Sequence, residues 1–355
     1  MIIRIPAEYD GRMLRSYLKL TLGLSTAVLA KLKNHERGIL INGKRVTVRY
    51  TLREGDVLEL ADRDTEATAS EHVLPVELPL DVLYEDDHVI ALNKPPHMPT
   101  HPSHGHVEDT LANALAFRYA CASEPFVFRP LGRLDRNTSG VVVAGKTRAA
   151  SGYLGRSLKE GRISKGYIAI LRGEIGGVGN VSTICAPIYQ PDGMGIKRAI
   201  GTDDTPGCVH AETRYVPIAS QNGHSLVLCQ PITGRTHQLR VHFSHIGCPI
   251  LGDDLYGEAS PLIDRHALHA LSIGLQLPFY RQAQVTREGD LIDDTPSPNR
   301  PTDDGYLRTW APLPTDMLVA AQAIFGDKLP TLSFDNITPY FPPSDLPLSQ
   351  TKGTT

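Results

Sequence analysis

The stretch Gly132-Arg133-Leu134-Asp135-Arg136-Asn137-Thr138-Ser139-Gly140-Val141-Val142-Val143-Ala144 sets one carboxylate between two arginines and then runs straight into four small apolar residues. Such a short continuous apolar run reads as a buried strand, which puts Asp135 on the loop that enters a core strand. An Asp flanked by cations has its charged form favoured, and a charged Asp in a partly dry cleft serves as nucleophile or general base. The alternative reading of the same residue types is a surface Arg-Asp-Arg ion network.

Outward from this point the chain offers more short apolar segments: VIALNK (89–94), GYIAILRGEI (166–175), AETRYVPI (211–218) and HSLVLCQPI (224–232). They follow one another without regular helical crossovers. This pattern predicts an α+β fold, a mixed and largely antiparallel sheet with flanking helices, and argues against a doubly wound parallel one. The segment 234–247 has Thr236 as a candidate cap, Leu239, Phe243 and Ile246 at i, i+4 and i+7, and Gly247 as a stop, so a helix with an apolar underside is expected there. A further helix is expected over 316–325.

With 355 residues, 41% hydrophobic and 21% charged, the chain is in the ordinary globular range and long enough for two domains. Its five cysteines are scattered without a C-x-x-C pair, so they read as reduced thiols, with neither a disulfide framework nor a zinc ribbon. Charge appears too early in MIIRIPAEYDGRML for a secretory core, and no run approaches a membrane span, so a cytoplasmic location is expected. The formal net charge is −3, yet residues 1–60 carry +5 and residues 61–88 carry −8. The acidic stretch lacks periodicity and reads as a solvated linker. The expected organisation is therefore a basic head over 1–62, a linker over 63–80, a main domain over 81–327 and a Pro/Ser-rich tail over 328–355, with a mobile insertion at 287–305.

In the head, Asp10 or Gly11 is a candidate cap for a first helix that buries Met13, Leu14, Tyr17 and Leu18. Ser25 caps a second, with Val28, Leu29 and Leu32 inward, Lys31, Lys33 and Arg37 toward solvent, and Gly38 at its end. Ile39-Leu40-Ile41, Asn42-Gly43 and Lys44-Arg45-Val46 then read as strand, tight turn and strand.

Taken with GRTHQLRVHFSHIGCPILGDDLYG (234–257), SKGYIAIL (164–171) and LNKPPHMPTHPS (92–103), the 132–140 segment resembles the RluA-type pseudouridine synthase family over about 82–314. The first 60 residues resemble an S4 RNA-binding module. The resemblance implies a uridine isomerase acting on structured RNA, with the catalytic acid at Asp135, a uracil-stacking aromatic at Tyr167, and Arg240 paired with the Asp. It also implies that Arg133 enters the RNA stack while the target base is extruded, because a C1′-linked uridine inside a helix is out of reach of any side chain. Lys94, Arg136 and Arg235 are expected to meet RNA in the main domain, and Lys31, Lys33, Lys44 and Arg45 in the head. Such contacts position a substrate without reading its bases. The S4-like head favours ribosomal RNA, with transfer RNA also open; a monomer, no cofactor and no metal are expected. Where the family mostly has His before Arg-Leu-Asp and Asp two residues after it, this chain has Gly132 and Asn137, which bears on the RNA entry loop and leaves the acid untouched.

His237, His242 and His245 do not converge on one ion if 237–245 is helical, whereas His101, His104 and His106 leave zinc open on spacing alone. His269 reads as structural. Two other functions remain to be weighed: a non-catalytic RNA-binding or ribosome-assembly factor, and an aspartate-dependent glycosidase. The latter usually needs a second acid roughly 5–10 Å away.

Overall fold

The computed structural model describes residues 2–61, 73–278 apart from 192 and 194, 298–337, and 340. The linker expectation for 62–72, the insertion at 287–297 and the tail beyond 340 lie outside the described residues.

The head is a four-stranded antiparallel sheet of β1 (Ile2–Arg4), β2 (Ile39–Ile41), β3 (Lys44–Arg45) and β4 (Val57–Leu60), in the order β1-β4-β2-β3. The predicted hairpin is present: Asn42 and Gly43 both take positive φ (50° and 74°), as a two-residue turn between twisted strands requires. The Asn42 side chain locks this turn, donating to Asp56 at 2.8 Å and accepting from the Val57 amide. Helix α2 (Thr26–Asn34) starts as expected, with Ser25 Oγ accepting from the Val28 amide. It ends before Gly38, whose place is fixed instead by close approach to the Leu32 carbonyl. The first helix departs from expectation. It begins at Leu14, is capped at Met13 and passes into a π turn over Tyr17–Thr21, and Met13 stays exposed while Asp10 accepts from the Glu54 amide.

The main sheet has β5 (Asp81–Glu85), β6 (Val89–Lys94), β7 (Ser139–Gly145), β8 (Ser164–Arg172), β9 (Ser182–Cys185), β12 (Glu212–Gln221), β13 (His224–Pro231), β14 (Leu268–Gln276) and β15 (Tyr306–Trp310); the short pair β10 (Ile188–Tyr189) and β11 (Ala199–Ile200) stands apart. Its order is β5-β6-β7-β14-β8-β13-β12-β9, with β15 also on β14. Every pairing is antiparallel except β7 with β14, so the expected mixed, largely antiparallel α+β architecture is borne out.

The apolar run after Asp135 is continuous because both faces of β7 are covered. Val141 and Val143 pack with Leu154 of α4 (Arg148–Lys159), while Val142 and Ala144 pack with Leu111 and Leu115 of α3 (Leu111–Cys121). On one edge β14 serves two neighbours: His269 and Ala270 pair with β7, and Ser272 to Gln276 pair with β15. At this fork Gly140 has φ 107°, and a Cβ there would lie 2.1 Å from the Ala270 carbonyl oxygen, so only glycine fits.

The end of the expected linker and the start of the expected tail are packed. Val73, Leu78 and Leu80 lie against the α3 core, with the Leu74 carbonyl accepting from Asn113. Beyond the helix α6 (Thr315–Phe325), Leu329, Leu332 and Ile337 return to the main core, and Phe334 meets Trp310 edge to face. Asn299, inside the expected insertion, exchanges hydrogen bonds with Trp310.

Candidate active site

Asp135 sits at the tip of a loop whose neighbours are pinned one by one. Leu134 exchanges hydrogen bonds with Thr100 Oγ1 at 3.0 and 3.2 Å. The Arg136 carbonyl accepts from Lys94 Nζ at 3.0 Å and the Asn137 carbonyl from Arg265 at 2.9 Å. Thr138 Oγ1 meets His266 Nε2 at 2.7 Å, and Ser139 meets His269 at 2.9 Å. Arg265 is itself clamped by Asp316 at 2.6 and 3.0 Å. The structural reading of His269 fits its place, buried between Ser139 and the Ala311 carbonyl. Burial holds the imidazoles of His266 and His269 neutral, lowering their pKa values to about 3 and about 4.

Arg240, on helix α5 (Gln238–His245), reaches Asp135 Oδ2 at 3.3 Å. Its stronger partner is Asp253, which takes Nε at 2.7 Å and Nη2 at 2.8 Å in a bidentate clamp. Asp253 is 0% exposed, and its free lone pairs accept from the Leu255 and Tyr256 amides. Burial by itself would raise the Asp253 pKa, but the hydrogen bonds and charge of Arg240 override it and hold the carboxyl below its ordinary value. The Tyr256 ring lies under the guanidinium at 5.1 Å. Two nitrogens of Arg240 are thus held by Asp253, and Asp135, 29% exposed, receives the third.

Helix α5 starts one residue later than the sequence suggests. Gln238 ties the preceding loop by accepting from Thr233 and the Arg235 amide and donating to Glu212 and Thr213, so Thr236 does not cap. His237 occupies the cap position with φ 56°, which turns its Nε2 to 3.9 Å from Asp135 while Nδ1 meets the Tyr256 hydroxyl at 2.8 Å. Burial lowers the His237 pKa. His242 is buried between Thr213 and the Ala186 carbonyl and His245 is exposed, so these three histidines do not converge. At the helix end Ile246 is exposed, outside the apolar underside formed by Leu239 and Phe243.

Asp135, Tyr167, Arg240, Arg133 and Arg235 all line one cleft of about 1100 Å³. Tyr167 is partly buried on β8, and its hydroxyl has no hydrogen-bond partner among the described residues; burial first and then the Asp135 charge raise its pKa. Arg133 is exposed at the mouth, and Arg235 donates to the His210 carbonyl. Arg136 points away from the acid toward His106 Nε2 at 3.2 Å, whose other nitrogen meets Asp109. The expectation that Lys94 meets RNA is corrected. The residue is 0% exposed, and its ammonium donates to the Pro95, Met98 and Arg136 carbonyls, so it braces the acid loop from beneath. In the head Lys31, Lys33, Lys44 and Arg45 are exposed, Arg45 also donating to the Lys33 carbonyl. No group of three or more potential metal ligands occurs among the described residues.

Motif reading did not single out Asp253, and it weighed His237 only as a metal ligand. Asp253 had a signal: an acid directly after the apolar Pro249-Ile250-Leu251-Gly252 must be buried and therefore paired.

Residues 88–245 match the RNA pseudouridylate synthase family. The chain is 35% identical over 297 residues to the uncharacterized RNA pseudouridine synthase YjbO of Bacillus subtilis, covering 83% of this chain and 94% of that one. It is 33% identical over 289 residues to the ribosomal large subunit pseudouridine synthase D of Xanthomonas campestris, covering 81% and 82%. The solved structure of human RNA pseudouridylate synthase domain containing 4 shares the fold, with a TM-score of 0.50 at 22% identity, over 68% of this chain and 92% of that one. The chain belongs to the RNA pseudouridylate synthase family, isomerases of uridine in RNA. No helix among the described residues is long and apolar enough to cross a membrane.

Proposed function

We propose that this enzyme isomerises uridines of ribosomal RNA with Asp135 as the catalytic acid residue, acting on an extruded base and without a cofactor. The observation that carries the reading is the 3.3 Å contact between Asp135 and a clamped Arg240 at the floor of a cleft also lined by Tyr167. The reaction breaks C1′–N1, turns the uracil, joins C5 to C1′, releases the C5 proton and returns a proton to N1. It is redox neutral and needs no external group donor. Asp135 begins it either by attacking C1′ or by removing a sugar proton to give a glycal. Tyr167 holds the base by its face, worth about 1–3 kcal/mol.

The ribosomal target is supported by relatives named as large-subunit synthases. The exposed cations of the S4-like head, Lys31, Lys33, Lys44 and Arg45, would hold RNA by its phosphates. A hydrolytic glycosidase is disfavoured by a specific observation: Asp253, the acid that shares Arg240 with Asp135, is fully buried and engaged, so it does not activate water. The test is Asp135→Asn. Pseudouridine should vanish from ribosomal RNA of cells carrying only this variant, with its thermal unfolding unchanged; retained modification refutes the assignment. Transfer RNA sequenced in the same cells decides between the two substrates.

A further inference from the structure

Six cations line the cleft, and their partners sort them. Arg240 is held by Asp253 and Asp135, Arg214 faces Glu212 at 3.5 Å, and Arg235 donates to a carbonyl. Arg133 and Lys159 are exposed at the rim. Lys165 differs from all of them: it is partly buried in the cleft wall, and no carboxylate or hydrogen-bond acceptor meets its ammonium among the described residues. Of the two carboxylates lining the cleft, Asp135 is engaged by Arg240 and Glu160 by Arg162. Burial lowers the Lys165 pKa, the mark of a cation short of water and of a counter-charge.

Lys165 and Tyr167 stand two positions apart on the regular strand β8, so they share a face, roughly 7 Å apart along the strand. The Lys165 ammonium lies at Gly132, where a Cβ would be only 3.6 Å from Nζ. Any longer side chain at 132 would compete for that space. The ammonium is therefore held next to Arg133, on the entry side of the cleft, one nucleotide's reach from a base stacked on Tyr167.

We propose that Lys165 is a substrate-positioning residue that takes a phosphodiester oxygen adjoining the extruded uridine, in the space Gly132 leaves open. This rests on the Asp135 and Tyr167 reading above. A compact ammonium suits a phosphate as a point charge, and the anion it lacks arrives with the RNA.

The test uses the whole enzyme and a synthetic stem-loop carrying a uridine already mapped as its substrate. Single methylphosphonate linkages, which are neutral, are placed in turn on either side of the target. In the wild type, one adjoining linkage should weaken binding roughly tenfold, as expected for one charge-assisted contact. In Lys165→Met, affinity for the unmodified RNA should fall by about the same factor, the salt slope of binding should drop by about 0.7, and that same linkage should no longer matter. Lys165→Arg should recover most of the affinity.

A wild type indifferent to every adjoining linkage overturns the proposal without recourse to any variant. So does a Lys165→Met enzyme that loses turnover at unchanged KM, which would place the charge on the departing uracil instead. Asp135→Asn is assayed on the same RNA: its retention of turnover would sink the catalytic reading alone, whereas the linkage scan reports only on Lys165.

Discussion

Replacing Asp253 by Asn tests what aims the arginine at the acid. The carboxylate is 0% exposed and holds Arg240, itself 7% exposed, by bonds of 2.7 and 2.8 Å. An amide offers one oxygen and no charge, so a buried guanidinium would keep one neutral hydrogen bond there and, as its ion pair, the 3.3 Å contact to the partly exposed Asp135. Removing one partner of a buried pair costs about 3–5 kcal/mol. For a chain of this size that corresponds to a fall in Tm of roughly 4–7 °C. Loss of aim at the reacting centre should lower single-turnover rates about 100-fold, since a displacement near 1 Å has that effect. Asp135→Asn provides the contrast: its ion pair is longer and partly solvated, worth about 1 kcal/mol or less, so stability should hold while chemistry disappears. Calorimetry and tritium release from uridine labelled at C5 read the two quantities. An Asp253→Asn enzyme within about threefold of wild-type rate and within about 2 °C of its Tm would show that the buried clamp does not position Arg240.

Other outcomes follow from the same geometry. Tyr167→Ala should weaken productive binding about 10- to 100-fold while Tyr167→Phe, which keeps the ring, stays near wild type in steady-state kinetics; equal losses would mean that the hydroxyl matters more than the face. Gly140→Ala should lower stability by about 2 kcal/mol or more in denaturant unfolding, because its Cβ meets the Ala270 carbonyl at 2.1 Å on a backbone with φ 107°. Acid should destabilise the protein before its carboxylates titrate. His266 and His269 stay neutral in the fold, with pKa values of about 3 and about 4 against the ordinary 6.5, so the unfolded chain takes up protons first. Stability is then complete above about pH 6.5 and declines as pH falls toward about 4, and His266→Gln should flatten that decline in unfolding curves recorded from pH 7 to 4.5.

The acid and its strand were legible because their signals are local: charge beside a run of Val, and a run long enough to need cover on both faces. The hairpin at Asn42-Gly43 was legible for the same reason, since left-handed turn chemistry is written in two adjacent residues. The Arg240 clamp was not, because Asp253 comes 13 residues later and is joined only by folding. Lys94 was misread for a physical reason. A lysine is normally solvated, and only the convergence of three carbonyls from two loops makes its burial tolerable. The packing of 73–80 and 329–337 was not legible because 73–80 is irregular and 329–337 holds only one short helical turn, Phe334–Ile337, so neither carries a sustained apolar period; each lies on a core made by distant elements.

The loop bearing Asp135 is tethered by Lys94, Thr100 and Arg265, the last clamped in turn by Asp316, all drawn from separate parts of the chain. A loop fixed so firmly beforehand leaves little rearrangement for the protein, so under the proposed extrusion the distortion of the encounter would fall on the nucleic acid. With the proposed extrusion, choice among uridines would become a contest of RNA pliability: those in loops or poorly stacked helices would evert most readily, and sites with the same flanking letters but a stiffer surrounding helix would be passed over.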